Sequence, residues 1–356
     1  MNHGEILPQA DAIARCAVGI AAAADMAALA ACAAEARQLA LALQREDAGA
    51  ALVSGVLSRL DDAVVGRVLA LLEPRFRLPP ARWCWLGLGS EGRLEQTLAT
   101  DQDNGLVFSA CDDGEARQLR EHFLPFAQAV NQALAECGFP LCDGEVMAGN
   151  PRWCLSQSEW LESFTAWVRT PEPEALLNAA IFFDFRPLAG DGALAAELRR
   201  ALSDLTRGNE IFLRMMSVNA LAAPPPLGRL RDFVTAADAG GTVDLKKFGS
   251  RIFVDAARIL ALGAGLAATA TAPRLRQVAA AGAMTAADAE AAVHAFHALQ
   301  GIRLTAQAEA ANAGQPPGNL LDPDRLNEFD RRLLLDALRQ ARTLQQGLKT
   351  RFHIDT

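Results

Sequence analysis

Residues 83–108, WCWLGLGSEGRLEQTLATDQDNGLVF, hold two short apolar runs set so close together that they limit the architectures open to the chain. Gly87, Gly89 and Gly92 follow the first run at G-x-G-x-x-G spacing, the pattern of a dinucleotide-binding turn. That unit needs a helical crossover between parallel strands and an acidic residue at the end of the second strand. Here only Glu91 to Thr100 separate the glycines from Asp101 and Asp103, and the acids precede the run GLVF instead of following it. The spacing therefore predicts two strands, WCWLGLG and NGLVFSA, joined by a short helix or loop. Alternation along the second strand puts Asp101 and Asp103 at its start on one face, with Cα atoms about 6–7 Å apart, which suits oxygen coordination of hard cations.

The rest of the chain frames this unit with helices. Its 356 residues, 51% of them apolar, allow two or three domains. Residues 10–75 show helical apolar spacing up to Pro79 and Pro80, and residues 115–137 read as an amphipathic helix. GFPLCDGEVMAGNP offers a third strand, bounded by Gly138 and Pro140 on one side and Asn150 and Pro151 on the other. AIFFDFRPL is compatible with helix or strand, and nothing after about residue 192 suggests a sheet. Leu326, Phe329, Leu333, Ala337, Ala341, Leu344, Leu348 and Phe352 mark one buried stripe on a long final helix.

A formal net charge of -8 disfavours phosphate backbones, so no nucleic-acid partner is expected. Seven cysteines without a C-x-x-C pair indicate reduced thiols and a cytoplasmic location, and Cys137 and Cys142 have no neighbouring His to make a zinc site. Asp25 and Glu35 interrupt the Ala-rich N-terminal stretch before the ~20 residues of a membrane span, so no membrane partner is expected. Glu5 and Asp11 stand where a secretory signal would be basic.

Gly89-Ser90, a ten-residue link and then Asp101-Gln102-Asp103 resemble the polymerase-β-like nucleotidyltransferases. More closely, GSEGRLEQTLATDQDN is similar to bacterial nucleotidyltransferases related to the catalytic domain of the PII-protein uridylyltransferase, whose members often carry cyclic-nucleotide-binding or CBS modules upstream. PLCDGEVMAGNPRW, SEWLESFTAWV and IFFDFRPLAGD look like the remainder of that domain. DLKKFGSRIFVDAARILAL and APRLRQVAAAG look like the family's C-terminal helical substrate-binding domain, so the likeness spans about residues 40–350. Gln102 and Asn104 replace the apolar residues that the wider superfamily prefers. No His-Asp dipeptide occurs, so the hydrolase domain of the PII enzyme is not expected, and upstream regulatory modules are not expected either.

The resemblance implies an α+β fold: a helical region at 1–75, a nucleotidyltransferase domain with a small mixed sheet at 76–200, and an all-α substrate-binding domain at 201–356. It implies transfer of a nucleoside monophosphate from an NTP to a hydroxyl of a PII-like protein or small molecule, with a homodimer among the assemblies allowed. Asp101 and Asp103 would hold two Mg²⁺ ions, which Mn²⁺ could replace, to neutralise the triphosphate and polarise the attacking oxygen. Gly89, Ser90, Gly92 and Arg93 would hold phosphates. A third carboxylate is expected, with Glu145 first, Asp184 next and Asp143 behind; Asp184 and Arg186 also read as a buried structural pair. Asn150 and Trp153 are candidates to close the nucleotide pocket, although Trp153, Trp160 and Trp167 at seven-residue spacing read first as helix core. Lys246 and Lys247, two of only three lysines, stand beside Asp244 at a helix start as candidate triphosphate or acceptor contacts. His294 and His297 lack a carboxylate to complete a metal site. The alternatives are a catalytically degenerate NTP- and metal-binding regulatory module and, third, a Rossmann oxidoreductase.

Overall fold

The computed structural model describes residues 3–46, 48–228, 233–234 and 241–354; the remaining positions, and side chains before Gln9 such as Glu5, lie outside the described residues. The chain divides into two compact units, Met1–Phe164 with Ile181–Arg199 and Thr165–Ala180 with Arg200–Thr356. The first opens with helices α1 (His3–Ala22), α2 (Met26–Arg45) and α3 (Ala50–Phe76). Asp25 breaks the Ala-rich stretch into two helices, between the end of α1 at Ala22 and the start of α2 at Met26, while Glu35 lies inside α2 without ending it. Asp25 caps α2, its carboxylate accepting from the Ala28 N–H at 2.9 Å. By length and composition alone, α2 is long and apolar enough to cross a membrane. Leu29, Ala33, Ala36 and Ala40 are buried at helical spacing, and α2 packs along α1 and α3.

The sheet follows. β1 (Trp83–Gly87), the single-turn helix α4 (Gly89–Arg93) and β2 (Asn104–Phe108) form the predicted connected pair, antiparallel from Trp83 opposite Phe108 to Gly87 opposite Asn104. Cys84, Trp85, Leu106, Val107 and Phe108 have no exposed surface, which explains apolar runs without alternation: both faces are covered. After α5 (Asp113–Glu136) come β3 (Cys154–Ser156), α6 (Gln157–Arg169), α7 (Pro173–Phe182), β4 (Arg186–Gly190) and α8 (Gly192–Thr206). The strand order is β3-β2-β1-β4, with β3 parallel to β2 and β4 antiparallel to β1, so the sheet is small and mixed.

Two expectations change here. The 138–151 segment is a chain of turns and not the third strand; that place is taken by Cys154–Ser156, only three residues long. Trp153 precedes β3 and is not on a helix; its ring lies 6.1 Å from Trp160 and 4.1 Å from Phe182. Trp160 reaches β2 because position 105 is glycine: a Cβ there would meet its ring at 3.1 Å, and its Nε1 donates to the Leu106 carbonyl at 3.1 Å. AIFFDFRPL resolves into both alternatives, with α7 ending at Phe182 and β4 starting at Arg186.

The second unit is helical, with α9 (Glu210–Leu221), β5 (Val243–Asp244), α10 (Arg251–Gly263), α11 (Thr271–Ala280), α12 (Ala286–Asn312), β6 (Leu320–Leu321) and α13 (Glu328–Arg351). Phe253, Leu275, Phe296, Leu299, Leu334 and Leu338 build its core. A two-residue antiparallel ladder, β5 with β6, corrects the expectation of no sheet in this region. The predicted stripe on the final helix holds at Ala337, Ala341, Leu348 and Phe352, which are buried, and at Leu326, Leu333 and Leu344, which pack against the core; it fails at Phe329 and extends to Leu334, Leu338 and Gln345. Leu334, Ala337, Leu338, Ala341, Gln345 and Leu348 are buried while Phe329 is 76% exposed. Gln345 earns its buried place by donating to the Ala220 and Ala223 carbonyls at 3.2 and 3.0 Å.

The tightest approach in the first unit is at Gly92, where a Cβ would stand 1.7 Å from the Asp184 carbonyl oxygen and 2.9 Å from that of Gly87. Both obstacles are backbone, so Gly92→Ala is expected to cost at least about 3 kcal/mol in chemical denaturation. Gly66→Ala in α3, where an added Cβ meets nothing within 4 Å, is expected to stabilise by about 0.5–1 kcal/mol.

Candidate functional site

β1 runs out through Leu88 into Gly89, whose φ of +54° is a conformation that glycine adopts without penalty. A Cβ at Gly89 would lie 2.8 Å from Asp103 Oδ2, so the absence of a side chain also makes room for that carboxylate. The Leu88 N–H donates to the Asp103 carbonyl at 2.9 Å and extends the β1–β2 pairing by one step. Asp101 and Asp103 thus stand just before β2, which begins at Asn104. Both are partly exposed, as is Ser90 at the start of α4.

The residues between and after the acids hold them in place. Gln102 is 4% exposed; its Nε2 donates to the Asn131 and Phe139 carbonyls, both at 2.9 Å. Asn131 of α5 donates through Nδ2 to Gln102 Oε1 at 2.8 Å and to Asn104 Oδ1 at 2.9 Å. Asn104 Oδ1 also accepts from the Ala148 N–H at 2.8 Å. With Gln102 and Asn104 drawn inward, alternation turns Asp101 and Asp103 toward the opposite face. Asn131 was missed from the sequence; an asparagine on the buried stripe of α5, among Ala127, Val130 and Leu134, was the available signal.

The expected third strand contributes two backbone bonds instead, Gln102 N–H to Pro140 O at 3.0 Å and Asn104 N–H to Val146 O at 3.1 Å. Glu145 is exposed at the apex of a turn with φ +54°. Asn150 Nδ2 and Trp153 Nε1 both donate to its carbonyl at 3.1 Å, so these two side chains shape the loop. Asp143 on the same loop is exposed. The Cys142 thiol lies 3.6 Å from Asp103 Oδ1. Its pKa is pushed up to about 11, chiefly by burial, with Asp103 and Asp101 both adding; the two carboxylates therefore act on the same point.

Arg93 and Asp184 meet each other. Arg93 Nη1 lies 2.7 Å from Asp184 Oδ2 and its Nε 2.8 Å from Glu95 Oε2. Asp184 has no exposed surface, so it is engaged with Arg93 and not with the Arg186 considered as its partner. Arg186 bonds Asp62 at 2.6 Å and the Glu91 carbonyl at 3.0 Å. Two further acids are buried, Asp61 on α3 and Glu91 on α4. Burial pushes Glu91 well up, with Asp62, Asp61 and Asp103 adding and Arg186 opposing. Burial likewise takes Asp61 up to about 7 against the pull of Arg37. Among the described residues no group of three or more His, Cys, Asp or Glu is arranged to hold a metal, so the site offers a two-carboxylate set.

Lys246 and Lys247 belong to the second unit. Asp244 Oδ1 accepts from both of their N–H groups, at 2.9 and 2.8 Å, and opens a wide helical turn over Lys246–Ser250. His297 packs against Phe296 with ring centroids 5.5 Å apart.

Two outcomes follow from these contacts. Asp184→Ala removes one of the two carboxylates on Arg93 and is expected to cost about 2–3 kcal/mol, whereas Asp101→Ala should cost less than about 1 kcal/mol in the same urea titration. For Asp61, the unfolded chain loses its proton near the ordinary 3.8 and the folded chain near 7. The penalty is absent below the first value, grows between the two and levels off above the second. The gain in melting temperature from Asp61→Asn is therefore expected to be larger at pH 8 than at pH 4; an equal gain at both would refute the buried-acid assignment.

No curated protein matches the chain. Residues 34–174 match the family described as "Putative nucleotidyltransferase DUF294", and residues 210–352 match its companion, "Putative nucleotidyltransferase substrate binding domain". The first match contains Gly89, Ser90, Arg93, Asp101, Asp103 and Glu145; the second contains Lys246 and Lys247. Together the two matches cover most of the chain in the order expected, and the chain belongs to this two-domain nucleotidyltransferase family.

Proposed function

We propose that the protein transfers a nucleoside monophosphate from an NTP to a hydroxyl of a PII-like protein or a small molecule, with Mg²⁺ held by Asp101 and Asp103. The observation that carries this reading is the pair of partly exposed carboxylates, turned to one face by the buried Gln102–Asn131–Asn104 bonds beside the Gly89-Ser90 turn. The donor set fits a hard cation: Mg²⁺ is commonly bound through one or two carboxylates, with water and phosphate oxygens completing the shell. When bound, the metal would neutralise phosphate charge and polarise the reacting oxygens.

The acceptor oxygen bonds to the α-phosphorus, the bond to the β-phosphate bridge breaks, and pyrophosphate leaves. Ser90 presents its hydroxyl to the phosphates beside Gly89. Arg93, engaged with Glu95 and Asp184, positions α4 against the loop that precedes β4. Asp184 is closed off by the same pairing, which leaves Glu145, with Asp143 behind it, as the candidate to take the acceptor's proton. The absence of a third clustered acid among the described residues favours a second reading, a regulatory module that binds NTP and metal without turnover.

Pyrophosphate release with each NTP, Mg²⁺ and candidate acceptors tests the first reading, and NTP-induced thermal stabilisation tests the second. Asp101→Asn and Asp103→Asn are each expected to lower turnover at least about 100-fold. NTP stabilisation without turnover selects the regulatory module. No NTP stabilisation with Mg²⁺ or Mn²⁺ refutes both.

A further inference from the structure

The second unit contains a cavity of about 780 Å³, within the range of small-molecule sites. Pro225, Val243, Phe248 and Leu320 supply apolar wall, and Leu320 is 64% exposed. Three cations line it, Lys247, Arg342 and Lys349; Asp244 is the only acid among the described lining residues. Its Oδ1 accepts from two backbone N–H groups at the start of the Lys246–Ser250 turn, and one carboxylate against three cations leaves the described lining with a net positive charge. An excess of positive charge is unexpected in a chain of net charge -8, and two of its only three lysines converge here. An ammonium on a flexible stem can follow an anionic group as a point charge, unlike a guanidinium fork.

The walls are tied in place. Gln345 holds the segment before the prolines through the Ala220 and Ala223 carbonyls. Arg342 donates to Leu227 O at 2.8 Å, and the β5–β6 ladder fixes Asp244 opposite Leu320. The Lys247 ammonium rests 5.1 Å from the Phe248 ring centroid, so cationic and aromatic surfaces are presented side by side. A preformed cavity of this kind suits a ligand with both an apolar body and an anionic end.

We propose that this cavity binds a soluble organic anion, a carboxylate or phosphate joined to an apolar body, with Lys247 and Lys349 meeting the charge and Phe248 and Leu320 the body. This does not rest on nucleotidyl transfer. Isothermal titration of the whole chain with octyl phosphate, inorganic phosphate and octyltrimethylammonium, the amphiphiles kept below micelle formation, tests it. Octyl phosphate is expected to bind saturably at one site, at least about tenfold more tightly than either of the others. Lys247→Gln with Lys349→Gln is expected to weaken it at least about tenfold at unchanged melting temperature. Leu320→Trp, at an exposed position, should do the same by filling the cavity. Equal binding of the ammonium amphiphile or of inorganic phosphate would overturn the proposal, as would unchanged affinity in both variants.

Discussion

The geometry of the candidate site depends on a buried carboxamide. Gln102 cannot be left unbonded at 4% exposure, and its side chain is satisfied by Asn131 and by the Phe139 carbonyl. Because side chains alternate along extended chain, satisfying Gln102 and Asn104 inside forces Asp101 and Asp103 outward. Two residues that look like departures from an apolar pattern are thus the ones that set the direction of the acids. The network links α5, the chain before β2 and the following loop, so an error in any of the three would move the carboxylates.

A second constraint is charge. Asp61 of α3 and Glu91 of α4 are buried, their pKa values driven up by desolvation, and Asp62 and Asp103 lie within electrostatic reach of Glu91. These acids oppose further ionisation nearby, which a bound cation at Asp101 and Asp103 would relieve. Arg37 pulls against Asp61, and Arg93 and Arg186 each engage a carboxylate, tying α4 to Asp184 and α3 to β4. Acidity here is therefore distributed between partly exposed carboxylates, Asp101 and Asp103, and buried ones, Asp61, Glu91 and Asp184, of which Asp184 is bonded by Arg93.

The central pair of strands was legible because double-sided burial requires unbroken apolar runs, and the short link between the runs excluded a helical crossover. The 138–151 segment was not, because Pro140 and Val146 each contribute one carbonyl to the chain before β2 without continuous pairing, and β3 has only three residues. The stripe on α13 was legible at Ala337, Ala341 and Leu348, but Gln345 was missed because it is buried by hydrogen bonds to two distant carbonyls, which hydrophobic periodicity does not register.

By itself the sequence determined the strand pair, the glycine turn, the helical flanks and the candidacy of Asp101 and Asp103, since each follows from local spacing and backbone freedom. Only the tertiary structure decided that Asp184 and Arg93 are partners, that Glu145 tops an exposed turn, and that Lys247 and Lys349 share one cavity. Those facts join residues up to about a hundred positions apart, and pairing at that range is set by packing and desolvation, on which local periodicity carries no information.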